Sequence, residues 1–487
     1  MKCGLSLPQV APDQWHDRQM ALDARASTVV SLERRDPSPQ DGKRRSTEIS
    51  FSSAFPIDTT AQVRDLLHRH SGDRPAQEVS FRQLVPWLKV GERATHYLHP
   101  YPAKLLPHIA HFFLATEELC SRDGLVLDPF GGSGTVAVET CLSGRPAAYV
   151  DSNPLARLIA EVKLRPLRTT EVAGRVAQLK ERFSRSRAST PPPVVNIDKW
   201  FSETGITRLT RLKSAINRDE QDDIQRLFLA TFSAVVRKVS RSDPRLSVPV
   251  SVAVSEEEQN KKDSIWERFE EQLAANLKRV EELSTLLPRA PRLTVAGSDA
   301  RHFMSDGLSH IKPGSVELII TSPPYAGAQK YIRASSLCLG WLGMAGVGEL
   351  RPLEKMTIGR EHLSSQDRSS ILQTSIPAAD AAISRIREKN ATRAAICAIY
   401  LQEMQLAVQQ MHLALKRGGH VVLIIGNNEV CGEPFLSSDY LTEYFVRFGF
   451  EIRAKLVDEI KSRGLMTKRN KTASVITREW VLIFRKK

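Results

Sequence analysis

The chain has 487 residues, 41% of them hydrophobic, enough for a large core spread over two or three structural units. Its formal net charge of +14 favours a polyanionic partner, nucleic acid first. Membrane, secreted and metal-framework classes are disfavoured. No apolar run nears the ~18 residues of a membrane span, no signal-peptide apolar core opens the chain, and Cys3, Cys120, Cys141, Cys338, Cys397 and Cys431 form no Cys-x-x-Cys pair. A reducing cytoplasm fits this cysteine usage.

Residues 1–50 mix charges such as Arg34, Arg35, Lys43 and Arg44 with Pro, Ser and Gln, without sustained periodicity. Residues 1–80 are read as a largely disordered N-terminal tail. Residues 80–120 are expected to be mostly helical, with a turn-rich patch at 98–102. Short apolar runs at 125–127, 147–150, 293–295, 316–320, 421–425 and 480–484 then read as buried strands. Several are followed by Gly, Asp or Pro and a helical pattern. That alternation predicts an α/β fold, a mostly parallel sheet covered on both faces. Ligands of such sheets bind at the carboxyl ends of the strands, near the topological switch point. Residues 165–290 interrupt the alternation as a helical insertion that opens near a basic, Ser/Pro-rich linker at 184–193. A second interruption, at about 345–390, reads as polar and loop-like.

The run at 125–127 leads into Asp128-Pro129-Phe130-Gly131-Gly132-Ser133-Gly134-Thr135, and a helix-compatible stretch follows. Glycines allow positive φ and close approach of the backbone to a ligand. The helix N-terminal amides supply donors, and Asp128 can accept from a ligand ammonium group. The spacing is neither the dinucleotide Gly-x-Gly-x-x-Gly nor a phosphate loop with its Lys. Seventeen residues beyond Gly134, the next strand ends at Asp151, where an acid can accept from both hydroxyls of a ribose. Asp151 could instead cap the following helix, unless Asn153 or Ser152 does so.

A second motif, Thr321-Ser322-Pro323-Pro324-Tyr325, ends the strand at 316–320. Its prolines hold the backbone extended and remove two N–H donors. Carbonyl oxygens and the Ser322 hydroxyl remain as acceptors, and Tyr325 offers a flat face. Two acceptors can hold both protons of an –NH2 group and expose its lone pair, while the ring stacks on the base that carries it. A base in a duplex must be flipped out to reach such a pocket.

Together the two strings resemble the amino-methyltransferases of nucleic acids, which make N4-methylcytosine or N6-methyladenine. The resemblance covers about residues 90–164 and 291–487. It implies a Rossmann-like seven-stranded S-adenosylmethionine-dependent methyltransferase fold with a helical insertion, closed by an antiparallel hairpin at about 450–460 and 480–484. The catalytic domain would comprise 81–164 and 291–487, and the insertion 165–290 would be the candidate target-recognition unit. S-adenosyl-L-methionine is the implied cofactor. Its site would use Tyr101 and Lys104 from His99-Pro100-Tyr101-Pro102-Ala103-Lys104, then Asp128, Phe130, Gly131, Gly132, Gly134, Thr135, Asp151 and Asn153, with Asp299, Ala300 and Thr321. The resemblance assigns Asp299 to the adenine amino group. It also assigns the helix carrying Tyr331, Leu339, Trp341 and Leu342 to the adenine ring. Lys416-Arg417-Gly418-Gly419 would form a glycine turn before the fifth strand. The catalytic set would be Ser322, Pro323, Pro324 and Tyr325, and Ser in place of Asp leans toward cytosine N4 over adenine N6.

The function so implied is site-specific methylation of a base amino group in double-stranded DNA. A thiolate route to cytosine C5 would need a Pro-Cys turn, which the sequence lacks. An RNA base methyltransferase of the guanine-N2 type, and a non-catalytic nucleic-acid-binding subunit, are the competing readings. Residues 451–487 carry 11 Lys and Arg against 4 Asp and Glu. Of these, Lys461, Arg463, Lys468, Arg469 and Lys471 are expected to contact phosphates, which position a protein without specifying sequence. A cognate restriction enzyme or defence-system subunits are candidate partners. No metal is expected.

Overall fold

The apolar runs become strands of one mixed sheet in the computed structural model. It describes residues 53–460 and 476–487, apart from 71–74, 90–92, 103, 288, 306–309, 327–329 and 370–372. All of them belong to the larger of the chain's two units, Phe51–Lys487. The strands are β1 (Gln77–Val79), β2 (Leu125–Asp128), β3 (Ala147–Val150), β4 (Leu293–Gly297), β5 (Val316–Thr321), β6 (Leu415–Ile425), β7 (Asn428–Val430), β8 (Glu433–Phe435), β9 (Phe450–Glu459) and β10 (Arg478–Lys486).

Eight strands form the main sheet in the order β4-β3-β2-β5-β6-β10-β9-β1, and β7 and β8 make a separate ribbon. From β4 to β6 all neighbours are parallel. β10 runs antiparallel to both β6 and β9, and β1 lies parallel to β9. Counted from β2, the main strands lie third, second, first, fourth, fifth, seventh, sixth. This is the α/β, Rossmann-like order with an antiparallel last hairpin. The order reverses between β2 and β5, so the switch point lies at the ends of the strands carrying Asp128 and Thr321.

Both faces of the sheet are covered, and the side chains sort by strict alternation. Leu127, Ile319, Val421, Leu423 and Ile425 enter one core cluster, with the helix Ala391–Ala414. Val126, Leu318, Ile320, Val422 and Ile424 enter the other, with the helices Pro107–Leu114 and Thr135–Leu142. The helices of 165–290 build a third cluster around Leu209, Phe228, Phe232 and Phe269. It takes in Leu158 and Val162 of the helix Pro154–Lys163 and Trp341 of the helix Tyr331–Leu342.

Four expectations need correction. Residues 60–79 are not tail: Thr60–His68 is a helix burying Val63 and Leu66, and β1 adds an eighth strand. Three residues, Gln-Glu-Val, are too few to show an alternation. Residues 345–390 are not a loop but carry the helices Leu350–Met356, Ser365–Ser369 and Pro377–Lys389. The last has Pro in its first turn and buries Ala379, Ala382, Ile383 and Ile386, a stripe whose alanines look polar-neutral in sequence. Among the described residues of 80–120 only Phe81–Leu84 and Pro107–Leu114 are helical. Gly418 and Gly419 lie inside β6 as a bulge rather than before it: Val316 pairs with Leu415 but Leu318 with His420, and Gly418 takes φ +76°.

Candidate active-site cleft at the switch point

A cleft of about 820 Å³, counting space open to solvent, lies at the carboxyl ends of the central strands. Its floor is the glycine loop after β2. Gly132 and Gly134 have φ of +50° and +79°, which L side chains rarely adopt. A Cβ on Gly131 would stand 2.8 Å from the Tyr149 ring, and one on Gly134 2.8 Å from Ala160 Cβ. The loop is thus glycine for close packing as well as for turn geometry. Beneath it the fully buried Lys163 donates to the Ser133 carbonyl at 2.7 Å.

Two carboxylates face this floor. Asp128 accepts from Thr321 Oγ1 at 2.6 Å and from the Phe130 N–H at 3.1 Å. Burial nevertheless pushes its carboxyl up to about 7, against the lowering effect of those hydrogen bonds. Asp151 accepts from the Gly132 N–H and the Asn153 N–H, each at 2.8 Å, and burial raises its carboxyl as well. The helix cap is Asn153, whose side-chain oxygen accepts from the Leu155 N–H at 3.1 Å. Asp151 therefore remains at the cleft. Asn153 Nδ2 also donates to the Tyr101 hydroxyl at 3.1 Å and Ser335 Oγ at 3.2 Å.

Tyr101, Lys104, Phe130, Gly131, Gly132, Thr135, Asp299 and Ala300 join Asp128, Asp151 and Asn153 in the cleft wall. Lys104 is turned partly away, donating to the carbonyls of His96 and His99 at 3.2 and 2.6 Å. Burial, with Arg279, lowers its ammonium to about 8. Asp299 is gripped by Arg301, whose Nη2 lies 2.6 Å from Oδ2. Gly134 and Thr321 stand behind the wall. From the proline motif, Ser322 and Pro324 line the cleft, whereas Pro323 and Tyr325 do not. The Tyr325 hydroxyl donates to Glu479 Oε1 at 2.8 Å. Of the helix Tyr331–Leu342, Tyr331 reaches the cleft. Trp341 instead packs edge-on to Phe201 and Phe232, and Leu339 packs among Leu155, Ile159 and Leu353. Lys461, Arg463, Lys468, Arg469 and Lys471 lie outside the described residues.

Sequence reasoning missed two supports of this site. Met356, Thr357 and Ile358 form part of the wall. Arg301 donates to the Met356 carbonyl at 3.4 Å, and Arg301 and Arg360 both bind Glu403. The one available signal was Gly359, with φ +78° and a Cβ position 3.1 Å from the Tyr325 carbonyl. The second support is Glu139, fully buried in the helix Thr135–Leu142. Its carboxylate receives Arg93 Nε at 2.7 Å and approaches His96 at 2.8 Å and His111 at 3.1 Å. Burial alone would raise the carboxyl, but Arg93 and the two histidines hold it well below the usual range. The segment that delivers Tyr101 and Lys104 is anchored there. Among the described residues no cluster of three or more side chains could hold a metal ion, and no helix is long and apolar enough to cross a membrane.

No family model matches the chain. It is similar to the Type II methyltransferase M.MvaI of Kocuria varians, at 21% identity over 400 residues covering 78% of this chain and 87% of that protein. A shorter stretch, 69 residues at 38% identity, matches the Type II methyltransferase M.MjaII of Methanocaldococcus jannaschii over 14% of this chain and 13% of that one. Among solved structures, the rRNA methyltransferase aviRa of Streptomyces viridochromogenes aligns over 83% of this chain and 96% of its own, at 11% identity and a TM-score of 0.31. Methyltransferases are thus relatives of this chain in sequence along most of its length.

Proposed function

We propose that this chain is an S-adenosylmethionine-dependent methyltransferase acting on the exocyclic amino group of a base in double-stranded DNA, cytosine N4 first. The observation that carries the reading is the joining of two motifs in one cleft. Asp128, Asp151 and the glycine floor form one side, and Ser322 and Pro324 another. The similarity to Type II methyltransferases supports it.

The residues present suit that cofactor. Asp128 is the acceptor for an amino-acid ammonium, Asp151 for a ribose diol, and the bare backbone of Gly132, where an added Cβ would meet only the Tyr101 ring at 3.9 Å, leaves the floor open. Bound S-adenosylmethionine supplies an electrophilic methyl group. Ser322 and the Pro323 carbonyl hold the two protons of the target amine, turning its lone pair toward the cleft, and Tyr325 supports the flipped base. Catalysis is then mainly the positioning of two reactants.

Digestion of DNA and RNA from cells expressing the chain, with mass spectrometry of the nucleosides, tests this. We expect N4-methylcytosine in DNA, lost with Tyr325→Ala while S-adenosylmethionine still binds the purified variant. N6-methyladenine would change the base alone, and a signal confined to RNA would move the substrate. Methylated DNA retained by Tyr325→Ala, or no methylated base anywhere, would overturn the proposal.

A further inference from the structure

Resting on that function, we propose that Glu479 is a positioning residue that fixes the Tyr325 ring through its hydroxyl. The antiparallel register pairs Trp480 with Ile425, so the next residues outward, Glu479 on β10 and Gly426 beyond β6, come side by side. Both meet Tyr325. The phenol donates to Glu479 Oε1 at 2.8 Å. A Cβ on Gly426 would stand 2.8 Å from Tyr325 Cε2 and 2.9 Å from Ile476 Cγ2. The ring edge fits where Gly426 lacks a side chain, and the hydroxyl end is held by a carboxylate.

The backbone is held from two other elements. The Cβ position of Gly359 is 3.1 Å from the Tyr325 carbonyl, and the Ala326 carbonyl accepts from Asn428 Nδ2 at 3.2 Å. These contacts place the main chain, yet an aromatic side chain still turns about two torsions. A hydroxyl bound to a carboxylate removes that freedom more firmly than a neutral pair would. The hydrogen bond also gives a reason for tyrosine over phenylalanine. It makes the C-terminal hairpin, remote in sequence, part of the machinery that orients the base.

The test uses the full chain with its 8 tyrosines replaced biosynthetically by 3-fluorotyrosine. The ¹⁹F signal missing from Tyr325→Phe identifies Tyr325. We expect that signal to move in Glu479→Ala and kcat for DNA to fall about tenfold, with the Kd for S-adenosylmethionine unchanged. Glu479→Gln, which keeps an acceptor, restores most of the rate. In the Tyr325→Phe background Glu479→Ala adds less than about a twofold further loss, because both changes break one contact. Multiplying losses, an unmoved ¹⁹F signal, or cofactor affinity falling in step with kcat would each overturn the proposal. Should the unsubstituted chain methylate neither DNA nor RNA, the proposed function fails, while the ¹⁹F shift still decides whether Glu479 holds the ring.

Discussion

Burial holds the Asp128 carboxyl at about 7, so near neutral pH it divides between two protonation states. A ligand ammonium prefers the ionised form. The sign follows from the raised value: as pH falls through 7 the cleft loses a negative charge and affinity for S-adenosylmethionine drops. One proton limits the drop to about tenfold per pH unit, with a plateau above 7. Calorimetry from pH 6 to 8 measures it, and a flat profile for the unsubstituted protein would refute it. Lys104, lowered to about 8, lines the same cleft, so Asp128→Asn is the control, weaker throughout but without the inflection near 7. The sequence showed that Asp128 and Asp151 end strands, because strand-tip acids follow apolar runs. It did not show Lys163, which reads as an ordinary basic residue at a helix end. Its burial beneath Ser133 depends on how that helix packs.

Elements explain why the glycine loop tolerates so little change. Gly134 begins the helix Thr135–Leu142 at φ +79°, and its missing side chain admits Ala160 of the next helix. Gly134→Ala therefore combines left-handed strain with overpacking, together about 2–4 kcal/mol in urea unfolding. Gly174 in the helix Thr169–Arg185 is exposed with nothing within 4 Å, so Gly174→Ala should stabilise by about 0.5–1 kcal/mol. Equal effects at both sites would remove the packing argument. The helix Thr135–Leu142 also carries Glu139, whose removal leaves Arg93 without its buried carboxylate. Glu139→Leu should cost about 3–5 kcal/mol. A carboxyl held below its ordinary value of 4.5 adds stability above that pH and loses it as pH falls toward the folded value. Glu139→Gln should flatten that acid limb of an unfolding profile, and a limb as steep as before would contradict the assignment. The core strands were legible because runs such as Val421–Ile425 are apolar on both faces. The helix Pro377–Lys389 was not, since alanine marks a buried stripe only once its neighbours are known.

At the scale of the whole molecule, the fold accounts for the cleft but not for the charge. The helical unit of 165–290 spends its aromatic side chains on its own core and on Trp341, so its fold was readable while its target was not. Base contacts depend on side-chain geometry in the bound state. The excess of positive charge is easier to test. Residues 451–487 carry a balance of 11 to 4, half of the chain's +14. Lys461, Arg463, Lys468, Arg469 and Lys471 join β9 to β10, the strand that supplies Glu479 to Tyr325. If all five meet phosphates, each contributes ~0.9 to the slope of log affinity against log salt on duplex DNA. Replacing the five by Gln should then lower that slope by up to ~4.5 and weaken binding alike on every sequence. Affinity for S-adenosylmethionine should stay unchanged, because Asp128 and Asp151, the acceptors proposed for it, are left intact. An unchanged salt slope would free these side chains of any phosphate role and leave DNA binding to other basic residues of the chain.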